Sequence, residues 1–346
     1  MNALGTDLDE GSPSSIRYKE VRERLKEGRL FDGPDHSGIF KFAFWLPTFV
    51  LSFALLPMLK ARWLWCADVL VASVGLLQMG FVGHDCGHFA LSTSRRVNDW
   101  IGQVAMTVMC GMSFGHWRHQ HNRHHAHCQE ITRDPDTHYG VLFSVYPGSA
   151  SWHSNLGRFF LAIQPYAFWP LTMFYWITLR YDAVRDLIQK PKETRPDRIF
   201  LPLHFLLLFI LPMIYFGWRI ALCDYIAVSC VSSVFTAAVF APNHIGMPML
   251  SPGERMEYVE QQVTTSRNLS NAAWLDFLFG GLNAQIEHHL FPKLSSGRLR
   301  LARPWVKSYC RDHQISYREE SVSSALASVV RHLHKIRAQS RLRRAI

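Results

Sequence analysis

Six long apolar runs constrain the fold of this 346-residue chain more than any other feature of its sequence. A helix that crosses the hydrocarbon core of a bilayer needs about 20 mostly apolar residues. Five runs reach that length, and the third has the length of a re-entrant or interfacial segment. In chain order the runs are Ile39–Leu59, Trp63–Val82, Trp100–Gly115, Phe159–Leu179, Ile199–Trp218 and Ile220–Ala241.

Four histidine clusters stand at the ends of apolar segments. The sequence reads HDCGH at 84–88, HNRHH at 121–125, NH at 243–244 and QIEHH at 285–289. Imidazole is a good ligand for iron, zinc, copper and nickel, but eight imidazoles are too many for one zinc ion, which takes four ligands. We therefore predict two metal ions side by side, with the ligands His84, His88, His121, His124, His125, His244, His288 and His289.

The order of runs and clusters indicates which runs cross the membrane. If the clusters build one site, Trp100–Gly115 cannot cross completely, because it separates the first two clusters. The pair Ile199–Trp218 and Ile220–Ala241 is typical of a hairpin, so the Trp- and Tyr-rich run Phe159–Leu179 should lie in the membrane interface. The predicted fold is an all-α integral membrane protein with four transmembrane helices in two hairpins, interfacial helices and a cytoplasmic helical cap that carries the metal site.

The basic residues favour a cytoplasmic site. In this topology only Lys60, Arg62 and Arg219 lie in the connections on the far side, which leaves 34 of the 37 Lys and Arg residues on the histidine side or at its boundary. Positively charged residues mark the cytoplasmic face of membrane proteins. We therefore expect a multi-pass protein with its site on the cytoplasmic side, the alternative being a membrane protein whose histidine clusters are unrelated.

Helical spacing selects the ligands of the second cluster. His121, His124 and His125 share one helical face by the i, i+3, i+4 rule. The rings of the adjacent pair diverge, so each can serve a different metal. Three further histidines of this region are expected to be solvated or to lie outside the ligand set: His116, His119 and His127.

The last cluster repeats this spacing with Gln285 at its first position. A glutamine oxygen can bind a metal weakly, hold a metal-bound water, or only form a hydrogen bond. Asn243 and Glu287 are candidates for similar supporting roles beside the ligands. Asp134 and Asp136 either brace the second cluster or are ordinary solvated loop acids.

With these motifs the chain resembles the membrane fatty acid desaturases over about residues 37–320. The resemblance is carried by HDCGH, by HNRHH with Trp117 before it, by APNHIGMP at 241–248 and by QIEHHLFP at 285–292. The segments QVTTSRN at 262–268 and GGLN at 280–283 are similar to bacterial members. Glutamine in the last box resembles the front-end branch, which inserts a double bond between an existing one and the carboxyl end.

The resemblance implies an O2-dependent desaturase with two iron ions, which uses two electrons to place a cis double bond in an acyl chain bound to coenzyme A or to a lipid. The position of the double bond would follow from the depth to which the acyl chain enters a bent apolar tunnel. Many front-end enzymes carry a fused cytochrome haem domain with a His-Pro-Gly-Gly signature. That signature is not found here, so we expect a separate electron donor, such as a ferredoxin with its reductase, and no nucleic-acid partner.

Two other functions fit parts of the pattern. A hydroxylase or another lipid oxygenase on the same scaffold would share the ligands and the first hydrogen abstraction. A membrane zinc amidase acting on a lipid would need one metal with about three protein ligands, which eight histidines argue against. A metal-binding membrane protein without catalytic activity is a further alternative.

We divide the chain into a cytoplasmic N-terminal segment at 1–37, a desaturase domain at 38–320 and a basic helical tail at 321–346. The first segment shows no signal peptide and includes an amphipathic stretch at 9–29. The apolar positions of the tail have helical spacing, which is typical of a helix on the membrane surface or of a solvated helical tail. Seven cysteines without a CxxC pair indicate a reducing compartment and no disulfide framework.

Overall fold

The structure is a computed structural model that describes residues 13–32, 35–139, 142–149, 152–190, 192–270 and 272–342. Helices dominate the described residues. They are α1 Pro13–Glu27, α2 Ser37–Leu55, α3 Arg62–Gly87, α4 Arg95–Gly102, α5 Phe114–Ala126, α6 Asn155–Thr172, α7 Tyr175–Gln189, α8 Asp197–Phe205, α9 Leu211–Phe216, α10 Trp218–His244, α11 Tyr258–Thr264, α12 Ala273–Leu278, α13 Gln285–Leu290, α14 Ser296–Asp312 and α15 Val322–Leu342. Two short strands, β1 Asn268–Leu269 and β2 Glu319–Glu320, pair in parallel.

Four helical segments of the described residues are long and apolar enough to cross a membrane. They are Ser37–Met58, Arg62–Gly87, Asp197–Phe216 and Trp218–His244. Each one corresponds to a run that the sequence predicts to cross, so the prediction of four candidate spans is confirmed.

The first two spans pack closely along each other. A Cβ atom added to Gly75 of α3 would lie only 3.0 Å from the Cβ atom of Phe49 in α2, so the absent side chain permits this approach. The Ser52 hydroxyl donates a hydrogen bond to Asp68 Oδ1 at 2.5 Å. A polar pair thus joins the two helices within their apolar surroundings, where an unpaired polar group is costly.

The last two spans meet at a one-residue turn. A π-helical stretch, Leu206–Ile210, joins α8 to α9, and Gly217 then separates α9 from α10 with φ of +87°. No atom lies within 4 Å of a Cβ added there. The backbone conformation, and not lack of space, therefore requires glycine at this turn.

The segment between the first two histidine clusters runs along α3, away from the histidines, and then reverses direction. Helix α4 continues as a π-helix, Gln103–Met109, and the chain reverses at Gly111, which has φ of +74°. The π-helix contacts α3 so closely that a Cβ atom on Gly83 would lie 2.9 Å from Met106 Cβ. Helix α5 then leads back toward the end of α3.

The helices outside the candidate spans enclose an apolar core of their own. It unites α1, α11, α13 and α14 through buried side chains that include Leu25, Val259, Ile286 and Val306. The amphipathic stretch of the N-terminal segment is therefore packed against the rest of the protein from residue 13 onward. Residues 1–12 and 33–34 of that segment lie outside the described residues, and the predicted domain boundaries stay predictions.

Helix α15 differs from the solvated tail that the sequence allowed. Its buried Val329 and Leu333 join a cluster with Phe168 of α6, and Gln164 of α6 donates a hydrogen bond to the Leu333 carbonyl at 3.3 Å. The apolar stripe thus faces protein. The basic residues at 343 and 344 lie outside the described residues.

Candidate metal centre

The eight predicted ligands lie together on one side of the candidate spans. They come from the end of α3 and the residue after it, from α5, from the last residue of α10 and from α13. Their nitrogens fall into two groups, and within each group the candidate ligand atoms lie within 4.8 Å of one another.

The first group consists only of imidazoles. His84 Nε2 lies 3.1 Å from His121 Nε2, which lies 3.1 Å from His125 Nε2. The rings of His88 and His288 close the group, with centroids 4.6 Å from those of His125 and His84 respectively. Five imidazoles therefore converge on one small volume.

The second group combines three imidazoles with one thiol: His124, His244, His289 and Cys128. The ring centroids of its histidines lie 4.8 to 5.0 Å apart. The stacked rings of His125 and His289, 4.4 Å apart, connect it to the first group. The arrangement thus offers two neighbouring groups that could each hold a metal ion.

The two adjacent histidine pairs divide between the groups. His124 belongs to the second group and His125 to the first, while His288 belongs to the first and His289 to the second. The divergence of neighbouring rings on a helix, which the sequence led us to expect, produces this division. The assignment of the eight histidines as metal ligands stays a prediction.

A close contact between α3 and α5 sets the first group. A Cβ atom on Gly87 would lie 2.5 Å from the Trp117 ring, so glycine lets α5 approach the end of α3. The Trp117 ring in turn stacks on His121 at 4.5 Å. The tryptophan before the second box therefore has a structural role as the support of a ligand ring.

Each of the three rings of the second group has a hydrogen-bond partner at its Nδ1 atom. His124 Nδ1 lies 3.0 Å from both carboxylate oxygens of Asp134. His289 Nδ1 donates to Gln262 Oε1 at 2.9 Å, and His244 Nδ1 to the Thr265 carbonyl at 3.2 Å. Such partners fix the tautomer of an imidazole and leave Nε2 free to bind a metal.

Sequence reasoning did not find Gln262 and Thr265, which lie on α11 and just after it. Both fall in the QVTTSRN segment that we noted for its resemblance to bacterial desaturases. Each is fully buried although polar. The sequence did contain a signal for them. The segment that holds both residues is polar, lacks apolar periodicity and lies between two histidine clusters.

Cys128 was also missed, and its geometry excludes it from the ligands of His244's metal position. Its sulfur lies 3.7 Å from His244 Nδ1, the nitrogen that faces the Thr265 carbonyl, and accepts a hydrogen bond from the Thr265 hydroxyl at 3.3 Å. The thiol thus lies on the Nδ1 side of the His244 ring, opposite Nε2. Burial raises the pKa of the Cys128 thiol well above its usual range.

Burial keeps most of the imidazoles neutral. Loss of solvation, reinforced by repulsion among neighbouring imidazoles, lowers the pKa of His88, His121, His125, His288 and His289 well below the usual range. Neutral imidazole is the form that binds a metal. The cluster is therefore ready to accept metal ions without first losing protons from these five rings.

His124 differs because of its acidic neighbours. Burial alone would lower its pKa, but the charges of Asp134 and Asp136 and the hydrogen bond to Asp134 raise the pKa of His124 to about 9. Asp134 is buried, whereas Asp136 lies 3.7 Å from the same ring and is half-exposed. Of the two interpretations given to these acids, bracing of the second cluster describes Asp134.

Unpaired ring nitrogens provide a test of whether a metal fits. Within the described part of the chain, His88 Nε2, His125 Nδ1, His288 Nε2 and His289 Nε2 are buried without a hydrogen-bond partner. Buried polar atoms normally have partners, and each exception needs an explanation. Metal ions bound at Nε2 account for three of these atoms, those of His88, His288 and His289. His125 faces the first group with its other nitrogen, Nε2. An all-imidazole set suits first-row transition metals.

The remaining candidates take supporting positions. Asn243 donates a hydrogen bond to Gln285, and Gln285 bonds in turn to His244. Glu287 turns away from the rings and accepts hydrogen bonds from Asn268 and Tyr317, both at 2.8 Å. It anchors α13 to the segments around β1 and β2.

The three other histidines of this region, two on α5 and His127 just after it, lie outside both groups. His116 Nε2 pairs with Asp186 at 3.1 Å, His127 Nδ1 lies 3.3 Å from Glu130, and His119 is exposed. None of them belongs to the two groups among the described residues.

Comparison with known proteins adds a family to this geometry. A sequence model of the family described as fatty acid desaturase matches residues 61–321. The matched region contains all eight histidines of the two groups.

Three curated relatives are similar along most of the chain. An acyl-lipid (9-3)-desaturase from Borago officinalis is 30% identical over 303 residues, which cover 80% of this chain and 66% of the relative. A Delta(8)-fatty-acid desaturase from Helianthus annuus is 26% identical over 352 residues, covering 95% and 75%. A Delta 8-(E)-sphingolipid desaturase from Komagataella phaffii is 24% identical over 324 residues, covering 88% and 59%.

Proposed function

The chain belongs to the fatty acid desaturase family, and from that premise we propose that it is a di-iron membrane desaturase. It introduces a cis double bond into an acyl chain bound to coenzyme A or to a lipid, using dioxygen and two electrons. The observation that carries the proposal is the convergence of eight histidines in two adjacent groups, seven of them buried and His244 partly buried. The named activities of the relatives, which act on fatty acyl and sphingolipid chains, support the substrate class.

Two irons fit the donor set and would supply the oxygen activation and hydrogen abstraction that no side chain performs. His84, His88, His121, His125 and His288 would hold one, and His124, His244 and His289 the other. The task of the protein is to fix these rings and to keep water out. Asp134, Gln262 and the Thr265 carbonyl orient the three rings of the second group, and burial excludes water from both.

The proposal also includes an arrangement of the helices in the membrane. The four candidate spans form two hairpins, one joined near Lys60 and the other at Gly217, and the ligands lie on the cytoplasmic side. The positive-inside distribution of Lys and Arg supports this orientation. Because α3 and α10 end at the ligands, an acyl chain in the bilayer reaches the metal centre from the apolar side.

The QIEHH box supports a narrower assignment to the front-end branch, whose products gain a double bond between an existing one and the carboxyl end. The two electrons come from a donor that the basic surface on the ligand side would attract if the donor is acidic. A ferredoxin with its reductase stays our prediction for that donor.

Lipid analysis of host cells that express the chain tests the proposal. Cells fed saturated and monounsaturated acids are compared with cells that express His288→Ala, and gas chromatography with mass spectrometry locates any new double bond. We expect a new unsaturated acid that is absent from the variant.

A hydroxylated acid in its place would assign the chain to the alternative oxygenase activity. The same unsaturated product from His288→Ala cells would contradict a role for the histidine groups. A ferredoxin and its reductase are expressed together with the chain, so that the supply of electrons does not limit the result.

A further inference from the structure

A chain of hydrogen bonds fixes which end of the Gln285 carboxamide faces the metal centre. It begins at the Leu282 carbonyl, which lies 3.1 Å from Asn243 Nδ2. A backbone carbonyl only accepts hydrogen bonds. The amide nitrogen of Asn243, and not its oxygen, must therefore point toward α13.

The same Asn243 nitrogen determines the orientation of Gln285. Asn243 Nδ2 lies 3.0 Å from Gln285 Oε1, so this oxygen is the acceptor and is already engaged. The Gln285 amide nitrogen must then occupy the opposite side, where it lies 3.0 Å from His244 Nε2. Both amide side chains are almost completely buried, so water does not replace these partners.

The tautomer of His244 is fixed from its other side. Its Nδ1 faces the Thr265 carbonyl at 3.2 Å and must donate a proton to it. His244 Nε2 therefore carries the lone pair, and Gln285 donates a hydrogen bond to that lone pair. Each step of the chain, from Leu282 through Asn243 and Gln285 to His244, allows one orientation only.

We infer that Gln285 is a hydrogen-bond donor at the second metal position and not a metal ligand. A second metal would then be held by three imidazoles, those of His124, His244 and His289, with the Gln285 amide beside it. The first metal has five imidazoles, so the two positions are unequal. This inference rests on the proposed function, because it concerns the environment of a metal at the second group.

The Gln285 N–H lies on the His244 Nε2 lone pair that a metal would take, so metal binding would displace the amide to one side. The Gln285 N–H then has no acceptor on the ring and is available to a small molecule or anion bound beside it. Oxygen-binding chemistry at this position would gain a donor, whereas a glutamine oxygen would occupy the position itself. Asn243 is a positioning residue, since its amide sets the direction in which Gln285 donates.

Cobalt(II) and azide can test this inference without reference to activity. Purified protein and the variant Gln285→Leu are loaded with cobalt(II), the bound cobalt is counted, and azide binding is followed by optical titration. Gln78→Leu is a matched control, because Gln78 is a buried glutamine whose amide donates to the Phe277 and Leu278 carbonyls. Should the leucine variant fail to fold, Gln285→Met keeps the length of the side chain and also lacks the N–H group.

We expect two cobalt ions per chain in all proteins, with azide bound about tenfold more weakly by the Gln285 variants, a factor that one lost hydrogen bond accounts for. Loss of one cobalt ion, or tenfold weaker cobalt binding, in Gln285→Leu would show that Gln285 is a ligand and overturn the inference. Unchanged azide affinity would overturn it as well, because the amide would then not donate. Failure of the unsubstituted protein to bind two metal ions would contradict the proposed function instead.

Discussion

At the scale of single residues, hydrogen-bond partners at Nδ1 hold the three rings of the second histidine group. Asp134, Gln262 and the Thr265 carbonyl each bond to a different Nδ1 atom. Each ring thus has its Nδ1 atom engaged, and its Nε2 atom is the one left for a metal. Residues that hydrogen-bond to the ligands without binding the metal hold the ligands in place in this way.

The Asp134 carboxylate should be important for metal affinity. Asp134→Asn removes the charge that holds His124, so we expect the affinity of the purified metal-free protein for cobalt(II) to fall by about 10- to 100-fold. Asp136→Asn is the matched control, because Asp136 lies farther from the same nitrogen and is half-exposed. Titration should show less than about a threefold effect for Asp136→Asn, and equal effects of the two variants would contradict this account.

Two histidines of α5 should respond in opposite ways to replacement by alanine. His124→Ala removes a ligand of the second group, so desaturation should cease and iron content should fall. His119→Ala changes an exposed ring of the same helix and should keep most of the activity. Lipid profiles and iron analysis of the two variants test this, and loss of iron in His119→Ala would show that the wrong histidines were chosen.

At the scale of elements, the segment that follows α4 and reverses at Gly111 needs hydrogen-bond donors at its buried end. The Val108 carbonyl accepts from His204 at 2.9 Å and the Cys110 carbonyl from Arg180 at 3.1 Å. Arg180 also stacks against Tyr225. Carbonyls at the end of a helix carry partial negative charge and have no partners within the helix, so these two side chains allow the segment to end among the spans.

Replacement of Arg180 should therefore weaken the fold more than its distance from the ligands suggests. Arg180→Met leaves the Cys110 carbonyl without its donor, at a cost of about 1–3 kcal/mol. We expect a melting temperature several degrees lower in detergent. Arg219→Met, at the exposed start of α10, is the control and should melt like the parent, whereas equal melting of both variants would contradict this role of Arg180.

The packing of α15 gives a second test at this scale. Leu333 is fully buried against α6, so Leu333→Ala should cost about 2–5 kcal/mol. Leu342 of the same helix is 67% exposed, and its replacement by alanine should cost less than about 0.5 kcal/mol. Thermal unfolding distinguishes this packing from a solvated tail, for which both variants would melt like the parent.

At the scale of the whole molecule, the sequence predicts the parts better than their contacts. The four candidate spans and the adjacent histidine pairs follow from apolar length and helical spacing, which are local properties of the chain. The partners Gln262 of His289 and Thr265 of His244 are 27 and 21 residues away from these rings. No local pattern specifies such contacts, because they depend on how α11 docks between α10 and α13.

Orientation in the membrane can be tested with single cysteines. After Cys66 and Cys223, which are exposed, are replaced by serine, we introduce Lys60→Cys or His119→Cys. A membrane-impermeant maleimide should label His119→Cys only from the cytoplasmic side and Lys60→Cys only from the other side. Labelling of both from one side would exclude the two-hairpin arrangement.

The most direct test of the whole account is the number of metal ions per chain. Protein purified from iron-supplied cells is analysed by inductively coupled plasma mass spectrometry, with its concentration fixed by amino-acid analysis. We expect two irons per chain, and fewer in His124→Ala. A single zinc ion per chain that iron does not replace would contradict the two-metal centre and favour a hydrolase.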